Sequence, residues 1–256
     1  LQDQQALELF GGVVEDFADT EQAADALAMI GLWWWEHEDR DKALAAWNRV
    51  LSDYPDSLAR AEAWTHLATV AKEDGDYVSA ARYYKDIIAA FPGTDQARRA
   101  AGRLAFAYLA LEDPESALPC FDQVVRETSE PAEAEEALYY RGYCEAATGE
   151  PEAAIADLTE TAQEAGNPAL VVRALRIVAS CHEQLGEYGE ARATLEQVLG
   201  ESSPEFAEWH APSMYLMAHT YFCEGRGGRL WSGLIGSLLS TRMTCVPQMQ
   251  SNWWRE

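Results

Sequence analysis

His219 and Cys223 stand four residues apart, a spacing that on a helix aims an imidazole and a thiol at one point and could fill two positions around a metal ion. Two donors do not complete a tetrahedral site. No third ligand lies near them in the chain, so the pair is read as packing or groove-lining, and no metal is expected. A second cluster, Glu36 to Asp41 (EHEDRD), sets a histidine among carboxylates, but it falls in a turn between helices, where charged groups are solvated. No serine sits in a nucleophile elbow, and EGRGG around Gly225 lacks the lysine and the preceding strand of a phosphate loop. Some carboxylate pair must occur by chance among 43 acidic residues, so pairing alone carries no weight. The expectation is a protein that is not an enzyme and uses no cofactor.

The five cysteines, Cys120, Cys144, Cys181, Cys223 and Cys245, show neither CxxC nor zinc-finger spacing and do not form a disulfide framework. Cys144 and Cys181 are 37 residues apart and read as small apolar packing residues at one repeated position. The net charge of −24 opposes phosphate backbones and anionic membranes, which excludes nucleic acid as the ligand. Most of the carboxylates are expected on a solvated face. No run of 18 uncharged apolar residues, signal-peptide pattern or N-terminal lipidation cysteine occurs, so nothing here is expected to span a membrane.

The elements that would position any site follow from an internal repeat. Alanine recurs every 37 residues, at Ala6, Ala43, Ala80, Ala117, Ala154 and Ala191. Four residues later comes Phe10, Trp47, Tyr84, Phe121, Leu158 or Leu195, and three further on Val13, Val50, Ile87, Val124, Thr161 or Val198. A stripe at i, i+4 and i+7 is one helical face, with the alanine where another helix approaches closely. This is helix B. Upstream, Gly31, Ala68, Ala105, Gly142 and Ala179 mark the small position of a second helix, A, flanked by large residues such as Leu27, Ile30, Trp34, Trp64, Leu67, Leu104 and Tyr108. Breakers separate the two, as in EDGDY, LEDPE, ATGEP and QLGEY, and stop signals such as YPDS and FPGT follow B. One helix pair cannot bury both its faces, so stacked pairs must build the core, which predicts an all-α solenoid.

The second copy carries Trp64, Leu67, Ala68, Gly75, Tyr77, Ala80, Tyr84 and Pro92 at the spacings of the tetratricopeptide repeat, and over residues 1–225 the chain resembles that family. It departs from the family in its 37-residue period, in Pro114 and Pro151 at the turn aromatic, and in Arg141 and Glu145 where apolar residues are expected. The longer period, with YPDS and FPGT after helix B, is similar to bacterial cell-envelope repeat proteins such as the lipoprotein of the β-barrel assembly machine and the periplasmic coordinator of the Tol-Pal system. The resemblance implies a right-handed superhelix of five A/B pairs, preceded by a lone helix B and followed by one more helix A. It favours the periplasm or cell envelope over the cytoplasm, although free thiols lean toward a reducing compartment.

By the same resemblance, the concave face is lined by Ala28, Leu32 and Trp35; Thr65, Thr69 and Lys72; Gly102, Phe106 and Leu109; Tyr139, Tyr143 and Ala146; and Arg176, Ser180 and Glu183. Of these, Leu32, Trp35, Phe106, Leu109, Tyr139, Tyr143 and Arg176, with Arg99 and Arg173 beside them, form the candidate groove for a partner peptide or helix with apolar anchors and acidic character. The alternatives to a partner surface are a tightly wound interior and contact with the chain's own tail. Three consecutive tryptophans, Trp33, Trp34 and Trp35, cannot share one buried stripe, because successive helical residues point about 100° apart. The functional expectation is a non-catalytic protein-interaction scaffold or adaptor. The alternative is a sensor or regulatory module, or a fixed subunit of a larger multiprotein assembly. Residues 226–256 break the repeat with a basic, amphipathic stretch whose Trp231, Leu234, Ile235 and Leu238 are expected to dock as a cap or enter the groove.

Overall fold

The computed structural model describes residues 2–200 and 207–225; Trp231, Leu234, Ile235 and Leu238 of the proposed docking tail lie outside them. Over the described residues the chain forms twelve helices and no strand: α1 (Gln2–Asp16), α2 (Glu21–Glu36), α3 (Arg40–Asp53), α4 (Ala59–Glu73), α5 (Tyr77–Ala90), α6 (Asp95–Ala110), α7 (Pro114–Glu127), α8 (Pro131–Thr148), α9 (Pro151–Glu164), α10 (Pro168–Gln184), α11 (Tyr188–Gly200) and α12 (Ala207–Gly225). The order is the expected one: a first helix B, five A/B pairs from α2/α3 to α10/α11, and a last helix A. The described residues divide into two compact units, one ending at residue 107 and the other beginning at residue 108. In the first, α2 packs on α1, α3 and α4, and α4 on α5. In the second, α8 packs on α7, α9 and α10, and α10 on α9, α11 and α12.

Local chemistry sets the turns at the period of the repeat. Asp39, Asp76 and Asp113 are 37 residues apart, and each carboxylate accepts a hydrogen bond from the backbone N–H three residues on, at Lys42, Ser79 and Ser116, capping a helix B. The residue before each of these aspartates, and its counterpart in the next two copies, has a left-handed backbone: Glu38 at φ 61°, Gly75 at 77°, Glu112 at 57°, Gly149 at 89° and Gly186 at 78°. Glycine meets that demand without strain in three copies, and glutamate occupies it at a cost in the other two. Pro114 and Pro151, which displace the turn aromatic, sit in the first turn of α7 and α9, where the missing N–H would have had no helical partner.

The B-helix stripe is the core in every A/B pair. Ala43, Trp47, Val50, Ala80, Tyr84, Ile87, Ala117, Phe121, Val124, Ala154, Leu158, Thr161, Ala191, Leu195 and Val198 are all at most 3% exposed. Thr161 satisfies its hydroxyl by donating to the Asp157 carbonyl at 2.9 Å. The stripe of α1 is only half-buried, at Ala6, Phe10 and Val13. The small A-helix residue faces the large B-helix one: a methyl group built on Gly31 would lie 2.4 Å from the Trp47 indole nitrogen, and one on Gly142 would lie 2.7 Å from Leu158 Cγ. Cys144 and Cys181 are fully buried, as their repeated position implies, and burial pushes both thiols up to about 12.

Candidate functional site

The first unit holds Leu32, Trp35, Arg99 and Phe106 of the expected groove. Arg99 is exposed, whereas Leu32, Trp35 and Phe106 are half-buried. Trp35 packs against the unit's core, 6.1 Å from the Trp47 ring, so part of its surface is already spent inside the chain. Trp33 stacks on His37 at 3.7 Å and meets Trp34 edge-on at 4.7 Å, while its indole N–H is buried without an acceptor. Of the EHEDRD cluster, all but Asp39 is exposed: His37 lies against Trp33, Asp39 caps α3, and Arg40 pairs with Asp74.

The second unit contains Leu109, Tyr139, Tyr143, Arg173 and Arg176. Leu109 and Tyr139 are buried at 6% and 4% exposure, which puts them among the packing residues and leaves them no open surface. Ser180 and Glu183, two further concave positions, are buried as well, as are Ala28 and Gly102 in the first unit. Tyr143, Arg173 and Arg176 are half-buried. The Arg173 guanidinium lies 5.0 Å from the Tyr139 ring centre and hydrogen-bonds the Tyr139 and Tyr140 phenols. Arg176 lies over Trp209 of α12 at 5.0 Å, and burial lowers its pKa. Its Nε is buried and has no hydrogen-bond acceptor within the described chain. Successive A helices thus bring Tyr139, Arg173, Arg176 and Trp209 into one aromatic and guanidinium layer, with Tyr143 one helical turn beyond Tyr139 and acted on by it. Trp209 was not expected in that layer, because the helix-A register shifts in the last copy.

Two features of this unit were not legible as sites. Arg141 and Glu145, departures from the family pattern, belong to a charged cluster between α7, α8 and α9. Arg141 reaches Asp157 through Nε at 2.5 Å and Nη2 at 2.9 Å, and Asp122 through Nη1 at 3.3 Å. Burial, and then the neighbouring Asp157 charge, push Glu145 up to about 7. The second feature is a cleft of about 660 Å³ between α9, α10 and α11, lined by Val171, Leu175, Val178 and His182 of α10 with Gln163 and Thr194. By helical phase it opens on the side of α10 opposite Arg173 and Arg176.

A 37-residue repeat of helix pairs, each closed by the same small-on-large crossing, places the chain in the class of α-solenoid scaffolds for protein interactions. The sequence profile of the tetratricopeptide repeat matches residues 34–95 and 103–169, and a second profile of the same repeat matches residues 173–203; the chain belongs to this family. Among solved structures it is similar to YrrB, described as a TPR protein with an unusual peptide-binding site, at 17% identity and a TM-score of 0.64 over 82% of this chain and 97% of that one. It is also similar to a tetratricopeptide repeat protein from Parabacteroides merdae, at 19% identity and a TM-score of 0.58 over 77% and 74% of the two chains. A third similar structure is PilW, described as a widely conserved type IV pilus biogenesis factor, at 16% identity and a TM-score of 0.52 over 91% and 99%. At these identities the likeness is one of fold. No curated protein matches the chain. No helix among the described residues is long and apolar enough to cross a membrane.

Proposed function

We propose that the protein is a non-catalytic adaptor that holds an extended or helical partner segment against Arg173, Arg176 and Trp209 of this layer and the adjoining Tyr143. The observation that carries this reading is the Arg176 guanidinium, held over Trp209 with a buried Nε that has no acceptor in the described chain. A buried donor without an acceptor is costly, and a partner's carboxylate or backbone carbonyl would remove that cost. Trp209 supplies apolar anchor surface beside it, and the half-buried Tyr143, a turn beyond Tyr139 on α8, extends that surface. Of the residues first assigned to the groove, Arg99, Leu32, Phe106 and part of Trp35 remain accessible to a partner on the first unit. The peptide site in the description of YrrB supports a peptide-holding role, and the likeness to PilW supports a place in the cell envelope.

Selection of peptides on the full chain tests the reading. The selected sequences are expected to combine an apolar anchor with aspartate or glutamate. Tyr143→Ser together with Arg176→Gln should weaken the best of them at least about tenfold, because both an anchor and a charge-assisted hydrogen bond are lost. Helicity should be unchanged. Neutral polar selections, or equal affinity for the double variant, would sink the assignment.

A second reading, a fixed subunit of a larger assembly, is favoured by apolar residues open at the two ends of the described array: Leu9 on α1, Phe17 just after it, and Met214, Tyr215 and Tyr221 on α12 are 58 to 74% exposed. Light scattering on the purified chain separates the two. An adaptor should run as a monomer, whereas a subunit stripped of its neighbours should self-associate through these faces.

A further inference from the structure

The imidazole and thiol four residues apart on α12 meet a carboxylate that the sequence gave no reason to place beside them. Glu183, on α10 and 36 residues upstream of His219, accepts a hydrogen bond from His219 Nδ1. Cys223 Sγ lies 3.5 Å from Nδ1 and 3.7 Å from Nε2 of the same ring. The three ligand atoms are all within 4.8 Å of one another. We propose that Glu183, His219 and Cys223 form a zinc site that staples α12 to α10, with a fourth position left for water or for a donor from a partner.

Three properties point to a cation. First, Glu183 is 5% exposed and Cys223 3%, and the second Glu183 oxygen, Oε2, is buried with no hydrogen-bond partner. A carboxylate oxygen taken out of water needs a cation or a strong donor, and beside this carboxylate the described chain offers, besides His219, only the weak donor of the Cys223 thiol. Second, the donor set fits the metal: thiolate with imidazole selects zinc over magnesium or calcium, and a carboxylate completes a three-ligand zinc set. Third, the spacing fits. Ligands at about 2.3 Å for sulfur and 2.0 to 2.1 Å for nitrogen, arranged tetrahedrally, sit about 3.6 Å apart. The Sγ to Nδ1 separation already has that value; the Glu183–His219 hydrogen bond must open by about an ångström, and the Glu183 oxygen, within 4.8 Å of both other donors, must settle to the same spacing. On binding, the thiol proton leaves to solvent, and the Nδ1 proton moves to the other ring nitrogen. The rings of Tyr215 and Phe222, 6.4 and 6.3 Å from the His219 ring, flank the imidazole.

The full chain, freed of metal and titrated with zinc chloride, should bind one ion per chain and gain thermal stability with zinc but not with magnesium. With cobalt(II) in place of zinc, a thiolate-to-cobalt charge-transfer band should appear. Cys223→Ser should remove that band and weaken zinc binding at least about a hundredfold, beyond what loss of an outer-shell partner causes. Glu183→Gln, which keeps the side-chain shape, should weaken it at least about tenfold, and carries the test if the serine variant fails to fold. Cys120→Ser, outside the cluster, should change nothing. Absence of zinc binding by the parent, or parent-like affinity in Cys223→Ser or Glu183→Gln, overturns the proposal.

Discussion

Replacing Arg141 with alanine is expected to cost about 3 kcal/mol at pH 8 and distinctly less at pH 5, read by urea unfolding at the two pH values. The guanidinium lies among three carboxylates: it bonds Asp157 twice and Asp122 once, and its charge also acts on Glu145. Asp157 is buried, so removing the guanidinium strands a charge out of water. The pH dependence has a definite sign. Glu145 in the folded chain holds its proton up to about 7, well above its ordinary value of 4.5, so between those pH values the folded state binds more protons than the unfolded one. Stability therefore falls as pH rises through that window, even in the parent. Without Arg141 the remaining carboxylates repel more strongly, the window widens, and the deficit grows with pH. A deficit independent of pH would mean that packing, and not charge, is what Arg141 contributes.

The fifth copy of the repeat shows how the same place is filled without charge. Arg141 and Asp157 correspond, 37 residues on, to Val178 and Thr194. Arg141→Val with Asp157→Thr should consequently stay within about 1 kcal/mol of the parent, since a buried ion pair replaced as a whole by groups of suitable shape is often neutral. The cluster is then a local substitution for an apolar contact and not a requirement of the fold.

That comparison marks the boundary of what the sequence discloses. The alanine, the large residue and the branched residue of helix B report burial directly, because one face of that helix meets the core, and a spacing of four and three fixes that face. The caps and left-handed turns were equally open to reading, since Asp39, Asp76 and Asp113, and the residues before them, share the period. Helix A is harder. It packs against its own helix B on one side and against neighbouring A helices on another, as α8 does with α9 and α10, so its buried arc is wide. Leu109 and Tyr139 fall within that arc although the family register sets them in the groove. A one-residue difference in position turns a side chain by about 100°, enough to move it from surface to interior. Contacts between side-chain tips on different helices are invisible to the period altogether. Nothing along the chain announces that Arg141 meets Asp157, or that Glu183 meets His219, because 16 and 36 residues separate the partners and only the helix crossings bring them together.

The crossing of α2 and α3 gives the second large effect. Gly31→Ala should destabilise the chain by about 2 kcal/mol, even though alanine favours a helix by about 1 kcal/mol over glycine. The added methyl would fall 2.4 Å from Nε1 and 2.6 Å from Cδ1 of Trp47, an indole that is 1% exposed and cannot swing aside. That ring is fixed on two further sides, donating to the Ala28 carbonyl at 3.2 Å and stacking on His66 at 4.7 Å. Trp47→Leu alone should cost about 3 kcal/mol, from the cavity it leaves over the glycine. The two changes together should cost less than their sum by at least about 1 kcal/mol, because the methyl group then occupies space the indole has vacated. The fifth copy already uses that combination, with Ala179 and Leu195 at the same two positions, both fully buried. A double-mutant cycle by chemical unfolding measures the coupling. Simple additivity would mean that the small residue of helix A and the large residue of helix B do not set the approach of the two helices, and the physical basis of the repeat would have to be sought elsewhere.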